Sequence, residues 1–401
     1  MAVDNSSNSQ DAQPEDSPPL GTRLLEDIYQ TCTFALHVVD PTQFSEAVKS
    51  SKWKASMDAE MEAIMSNKTW ELCALPEGKK TVGLKWIYKT KLNAEGQVLK
   101  LKARIVAKGY SQQQGIDYEE VFSPVARLET VRLVLAFAVQ HGWEVHQFDV
   151  KSAFLNGEIR EDVYVSQPEG YVEKGKEHLV CKLSKALYGL KQAPRAWYSK
   201  IDQYSREIGL RKSKSEHTLY QRQGEDGETL VVSLYVDDII YTSSLCTMLK
   251  EFKNEMMHKF NMTDLGVMGF FLGIEVKQNS DGIFICQRSY IEDVLSKLNM
   301  QQCKPVPTPM AVNEKLEEEG SEEFTDPFLF RSMVGKLLYI CHTRPDIVYS
   351  VNYLSRFMSR PSKVHFSAVK RVVRYLAGSK NFGLWYSHEG ETTLEIFSDS
   401  D

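Results

Sequence analysis

The run LVVSLYVDDIIYT over residues 230–242 constrains this chain more than any other stretch. Strand-forming residues flank two aspartates, which predicts a β-hairpin with both acids at its turn. Apolar hairpins ordinarily carry Asn-Gly or Asp-Gly there, because those residues tolerate positive φ. Two adjacent carboxylates repel, and each raises the proton affinity of the other. The pair is therefore either a solvated acidic turn or part of a cation site, since Mg²⁺ takes one or two carboxylates together with substrate phosphates.

A third acid sharpens that choice. Asp149 lies in HQFDVKSAF, at the end of a short strand that follows an apolar helix expected over residues 128–141. Acids on separate strands converge if those strands are neighbours in one sheet. Three converging carboxylates suit two metal ions about 3.5–4 Å apart, one activating a hydroxyl and the other steadying a leaving pyrophosphate. A strand-end Asp of purely structural character remains the other reading.

Bulk composition neither supports nor blocks this chemistry. The 401 residues carry a formal net charge of −6, with 42% hydrophobic and 25% charged residues, as in ordinary globular proteins. Any affinity for nucleic acid must therefore come from local charge. Between Lys79 and Lys108 nine basic residues face one acid, Glu95. Seven scattered cysteines without a CxxC pair predict reduced, mostly buried thiols in an intracellular protein. The N-terminus lacks a secretory pattern, and no apolar run approaches the ~18 residues of a membrane helix.

Along the chain, residues 1–22 are polar and Pro-rich and are expected to be disordered. A helical apolar face spans residues 41–70. Two strand-like runs, GLKWIYKTKL and KARIVAKGY, flank Asn93-Ala94-Glu95-Gly96 and predict a hairpin. Helices are expected over residues 193–208 and 249–260, and FFLGIEVKQ with GIFICQ forms a further hairpin closing at residues 279–282. Residues 301–327, rich in Pro and Glu, are expected to be a linker. Two helices are expected after it, the last over residues 362–377, with Val369, Val372, Val373 and Leu376 inward and Lys370, Arg371 and Arg374 outward. That basic face suits either phosphates or solvent.

YVDD (Tyr235–Asp238) resembles the active-site turn of reverse transcriptases. The ordered blocks ARIVAKGYSQQQGIDYEEVFSPVARLETVRLVLAFA, FDVKSAFLNGEI, VYVSQPEGY and ALYGLKQAPRAWY resemble the polymerase region of copia-type LTR retrotransposon Pol polyproteins. The resemblance runs from residue 41 to the last residue. It implies an α/β (α+β) right-hand polymerase fold: fingers, a palm of antiparallel sheet backed by helices, and a thumb/connection region. The expected divisions are a disordered leader over 1–40, fingers and palm over 41–300, thumb/connection over 301–385, and a truncated start of RNase H from 386, with Asp399 its first metal ligand.

The same resemblance implies roles residue by residue. Asp149, Asp237 and Asp238 match the palm aspartates that hold two Mg²⁺ ions, with Mn²⁺ as a substitute. Phe154 matches the aromatic that blocks a ribose 2′-hydroxyl, and otherwise is a core Phe. Lys102 and Arg104, two apart on a strand and so on one face, match cations that hold the incoming triphosphate; the alternative is a solvated β face. Gln192 matches a Gln beside the nucleotide, although Ala193 follows it where retroviral chains carry Gly. Gly273 in FFLGIEV matches the primer grip, or is a strand Gly in a bulge.

The implied partners are an RNA/DNA template–primer duplex and dNTPs, with the Gag particle and other Pol products in the cytoplasm around it and some access to the nucleus. RNase H activity is not expected from this chain. The competing expectation is a catalytically silent retroelement remnant that keeps nucleic-acid binding.

Overall fold

The computed structural model describes residues 40–92, 98–311, 316 and 322–389, so the expected leader, the residues 93–96 link and Asp399 lie outside the described residues. The chain divides into two compact units, one built from residues up to Met57 with Ile87–Ala103, the other from Asp58–Trp86 with Arg104 onward.

In the first unit, Trp53 meets Tyr88 edge to face at 5.3 Å, and the Tyr88 hydroxyl donates to the Met57 sulfur at 3.4 Å. The Ser56 hydroxyl donates to the Leu101 carbonyl at 3.1 Å and accepts from the Ala103 amide at 2.8 Å. The helical run expected over residues 41–70 is interrupted: Phe44–Ala47 and Ser51–Ser66 are helical, and Trp70–Cys73 is already strand. The two runs expected to form a hairpin, Leu84–Leu92 and Val98–Ala107, pair as a two-stranded sheet.

The larger unit is organised by a six-stranded sheet in the order Met262–Val267, His146–Val150, Asp238–Ser243, Thr229–Tyr235, Leu219–Gln223, Arg211–Lys212. Every neighbouring pair in it is antiparallel. Period-two alternation sorts its side chains between two cores. Phe148, Val232, Ile239 and Tyr241 point to one face, where helices Ala193–Glu207 and Cys246–Lys259 supply Trp197, Ile201, Phe252 and Met256. Ile240 points to the other, among Val131, Leu135 and Ala138 of helix Leu128–Gln140 and Phe271, Ile274 and Ile285 of a neighbouring sheet. Each fully buried aliphatic or aromatic side chain there contributes about 1.5–3 kcal/mol. The helix is not buried all round as its composition suggests, for Leu133 is 55% exposed.

That neighbouring sheet orders Phe270–Phe271, Ile274–Asn279, Gly282–Cys286 and Gly383–Ser387. The hairpin expected at residues 279–282 closes there, with Asn279 opposite Gly282. FFLGIEV, however, is not one strand: Phe271 pairs with Ile274 across a two-residue Leu272–Gly273 turn. A four-stranded sheet of Trp70–Cys73, Val180–Leu183, Tyr164–Val165 and Thr81–Val82 completes the sheets of the described residues.

Helices Arg288–Lys297, Pro327–Ile340, Val348–Ser355 and Lys363–Gly378 share a separate core of Leu295, Val334, Leu337, Leu354, Val369 and Val373. Among the described residues three α-helices thus follow the Pro/Glu-rich segment instead of two. The last is set by a capping box, in which Ser362 and His365 exchange hydrogen bonds. The four residues expected to face inward on it are fully buried. Its basic face is already engaged: Arg371 donates to the Thr308 hydroxyl at 2.9 Å, Arg374 to the Lys304 carbonyl at 2.8 Å, and Lys370 lies over the Phe366 ring.

The described cysteines are all free, Cys181 and Cys286 being buried and Cys246 exposed. No helix among the described residues is long and apolar enough to cross a membrane.

The helical core is fastened by a buried charge. Arg344, 1% exposed, makes paired hydrogen bonds to Asp346 at 2.9 and 2.7 Å and two more to Ser379 at 2.8 Å. Burial alone would raise the Asp346 pKa, but the bonds from Arg344 and from the Tyr375 hydroxyl outweigh it and hold the carboxyl below its ordinary value. A carboxylate with a depressed folded-state pKa stabilises the fold above its unfolded pKa and loses that contribution as pH falls through the folded value. Asp346→Asn, which leaves a buried guanidinium without its counter-charge, is expected to cost about 1–2 kcal/mol in urea unfolding at pH 7, because the exposed Asp346 side of the pair is screened by solvent. The gap to the parent should shrink below pH 3.8, the ordinary carboxyl value; a constant gap across that range would contradict the assignment.

Candidate active site

Strand His146–Val150 and strand Asp238–Ser243 are antiparallel neighbours, and their register puts Asp149 directly opposite Asp238. Directly opposed residues project from the same face. Asp149 and Asp238 therefore share the face away from the Trp197–Phe252 core. The Val150 amide donates to the Asp237 carbonyl at 3.2 Å, so the strand that carries Asp149 also holds the tip of the hairpin. Asp149 and, some ninety residues further along the chain, Asp237 and Asp238 thus adjoin through their backbones at one strand end, and all three are half-buried.

The turn is tighter than its sequence suggests. Tyr235 pairs with Asp238, so Val236 and Asp237 are the two turn residues and Asp238 is the first residue of the returning strand. Of the two acids, Asp237 alone therefore lies in the turn itself. Val236 takes φ +55°, a left-handed conformation that a β-branched residue adopts only under constraint, at a cost of about 1–3 kcal/mol. The constraint is visible: the indole N–H of Trp197, buried under the sheet, donates to the Val236 carbonyl at 2.6 Å. Gln147, two residues before Asp149 and so on its face, donates to an Asp238 carboxylate oxygen at 3.2 Å.

Among the described residues, no three His, Cys, Asp or Glu side chains stand close enough together to hold a metal ion as they are. The donor chemistry at the strand end nonetheless fits Mg²⁺: oxygen ligands only, two carboxylates opposed on one face, with room in the coordination shell for substrate phosphates.

Arg104 and Phe154 come together through a residue that neither motif singled out. The Arg104 guanidinium lies 4.6 Å from the Tyr188 ring centroid, and the Phe154 ring lies 4.6 Å from the same ring on a tilted approach. Burial pushes the Tyr188 phenol up to about 12; Arg104 opposes that shift, and Asp237 and Asp149 are near enough to add to it. Lys102 shares its strand face with Arg104, because Ala103, Ile105 and Ala107 between and beyond them are buried, but it belongs to the smaller unit.

Gln192 sits immediately before helix Ala193–Glu207, buried, with its amide committed to the Asp117 carbonyl at 2.9 Å and to Gln112 at 3.0 Å. It lies on the wall of a cavity of about 680 Å³ together with Arg195, Lys200, Glu158 and Arg160, and none of the three aspartates lines that cavity. Gly273 has φ +85° in the Leu272–Gly273 turn, which is a hairpin end and not a bulge.

Sequence reasoning missed Tyr188, Trp197 and Gln147. Gln147 could have been found from period two alone. Tyr188 and Trp197 stand within ALYGLKQAPRAWY, yet their tasks depend on which strands that segment packs beneath.

The family model described as reverse transcriptase (RNA-dependent DNA polymerase) matches residues 67–312. The chain is 43% identical over 364 residues to the Retrovirus-related Pol polyprotein from transposon RE1 of Arabidopsis thaliana, covering 90% of this chain and 25% of that protein. It is 39% identical over 383 residues to the corresponding polyprotein from transposon RE2 of the same plant, covering 95% of this chain and 26% of the relative. It is also 38% identical over 370 residues to the polyprotein from transposon TNT 1-94 of Nicotiana tabacum, covering 89% of this chain and 27% of the relative. The chain thus spans about a quarter of the length of these relatives. A mixed α/β architecture, an acidic strand end and a family match over most of the described sheet structure lead to one assignment: the chain belongs to the reverse transcriptase family, in the form found in copia-type Pol polyproteins.

Proposed function

We propose that the chain is an RNA-directed DNA polymerase that adds deoxynucleotides to the 3′-hydroxyl of a primer paired to an RNA or DNA template. The observation that carries this reading is the register opposing Asp149 to Asp238, with Asp237 at the adjoining turn. In this reading the six-stranded sheet and its two helices are the palm, the basic two-stranded sheet belongs to the fingers, and the helical cluster after residue 300 is the thumb/connection.

Asp149, Asp237 and Asp238 would hold two Mg²⁺ ions, which supply an activated hydroxyl and charge neutralisation at the leaving pyrophosphate. The chain's own residues do the rest. Gln147 orients the Asp238 carboxylate, and Trp197 fixes the turn backbone so that the acids are preorganised. Lys102 and Arg104 bind the triphosphate as charge-assisted donors. Phe154, backed by the Tyr188 ring, closes the space a 2′-hydroxyl would need. Gln192 acts here through position: it ties the loop containing Gln112 and Asp117 to the start of helix Ala193–Glu207. The Leu272–Gly273 turn is assigned to the primer.

Primer extension on poly(rA)/oligo(dT) with Mg²⁺ tests the reading. The parent is expected to extend the primer, and Asp237→Ala/Asp238→Ala to be slower by roughly a thousandfold or more, the ~4 kcal/mol scale of lost metal-centred stabilisation. Equal rates would refute the site. Duplex binding without extension by the parent would instead favour the silent remnant. Phe154→Val is expected to raise ribonucleotide incorporation relative to deoxynucleotide by at least about tenfold, ~1.4 kcal/mol of discrimination. Unchanged sugar selectivity would remove Phe154 from that role.

A further inference from the structure

The Leu272–Gly273 turn is held from outside its own sheet. Its residues take φ +50° and +85°, so both central positions of the turn are left-handed, a geometry that Leu adopts at a cost of about 1–2 kcal/mol. The Leu272 carbonyl accepts a hydrogen bond from the Tyr339 hydroxyl, which comes from the last turn of helix Pro327–Ile340. The contact is close enough that a Cβ built on Gly273 would lie 3.2 Å from that same hydroxyl oxygen.

Tyr339 is itself fixed from behind. Its ring meets Tyr290 edge to face at 4.9 Å. Its carbonyl accepts from the side chain of Gln287 at 3.3 Å, and the fully buried Gln287 also accepts from the Thr343 hydroxyl at 2.8 Å. On the other side of the turn, Phe271 meets Tyr235 edge to face at 6.2 Å, and Tyr235 is the residue paired with Asp238. A continuous packed path therefore runs from the helical cluster through the turn to the acidic strand end.

We infer that Tyr339 is a positioning residue for the primer terminus: its hydroxyl fixes the Leu272–Gly273 turn, and that turn sets the recessed 3′ end of a duplex against the Asp237–Asp238 hairpin. The inference rests on the polymerase reading. It assigns the helical cluster a task at the reaction centre, transmitted by one side-chain hydrogen bond, instead of a share in duplex affinity alone.

Tyr339→Phe tests it, because the ring stays and only the hydroxyl goes. Dissociation from a duplex with a recessed 3′ end, followed by fluorescence anisotropy, is expected to be about fivefold faster, the effect of one hydrogen bond. Dissociation from single-stranded template should be unchanged, as should the KM for dNTP and the urea unfolding midpoint. Gly273→Ala, which pushes a methyl toward the same hydroxyl, should shorten the recessed-end lifetime in the parent and shorten it less in the Tyr339→Phe background. An unchanged recessed-end lifetime in Tyr339→Phe, with an active parent, overturns the inference and leaves the polymerase reading intact. So does an equal loss on single strands, or a loss matched by a lower unfolding midpoint. A parent that neither extends primers nor binds the duplex overturns both.

Discussion

The antiparallel pairing of strand His146–Val150 with strand Asp238–Ser243 is the interaction on which the rest depends. A slip of one residue in that register would turn Asp149 to the opposite face and bring Phe148 out of its core. Register is enforced by what lies on each side: Phe148 stacks on Tyr241 at 4.6 Å under the sheet, while Ile240 enters the opposite core. Apolar contacts thus decide which acids face each other. The polar face adds its own lock, since Gln147 reaches Asp238 from the strand that carries Asp149.

Much of this is legible in the sequence. The hairpin, the helices beginning at Leu128 and Ala193, and the inward face of the last helix follow from hydrophobic period and turn residues. The expectation that the strand of Asp149 neighbours the hairpin rests on the same reasoning, and the register opposes Asp149 to Asp238. Failures fall where local pattern and tertiary contact compete. FFLGIEV reads as strand on either side of its glycine, yet Phe271 pairs with Ile274 and the run folds back at Leu272–Gly273, where the Tyr339 hydroxyl reaches the Leu272 carbonyl. The outward arginines of the last helix look like a phosphate surface in sequence, but residues 304–308 take up two of them. Pairwise meetings across long separations, such as Arg104 with Tyr188, leave no periodic trace.

Two backbone positions held in unfavourable conformations, Val236 and Leu272, stand on either side of the Tyr235–Phe271 contact. Each has its carbonyl bonded to an aromatic residue from a helix, Trp197 in one case and Tyr339 in the other. Strain of this kind persists only where the surroundings over-determine it. The two turns are therefore rigid because neighbouring helices hold them, and their geometry reports on the packing of those helices.

Strand Gly383–Ser387 has a further consequence. It pairs along the whole of Gly282–Cys286, whose sequence GIFIC is almost entirely buried. Without that partner the segment would present a row of open amides and carbonyls beside β-branched and aromatic side chains, a template for pairing with another chain. The strand that takes this place has Trp385 49% exposed. It is anchored at its start by Phe382 against Arg344, so the buried cation that fastens the helical core also keeps an aggregation-prone edge covered.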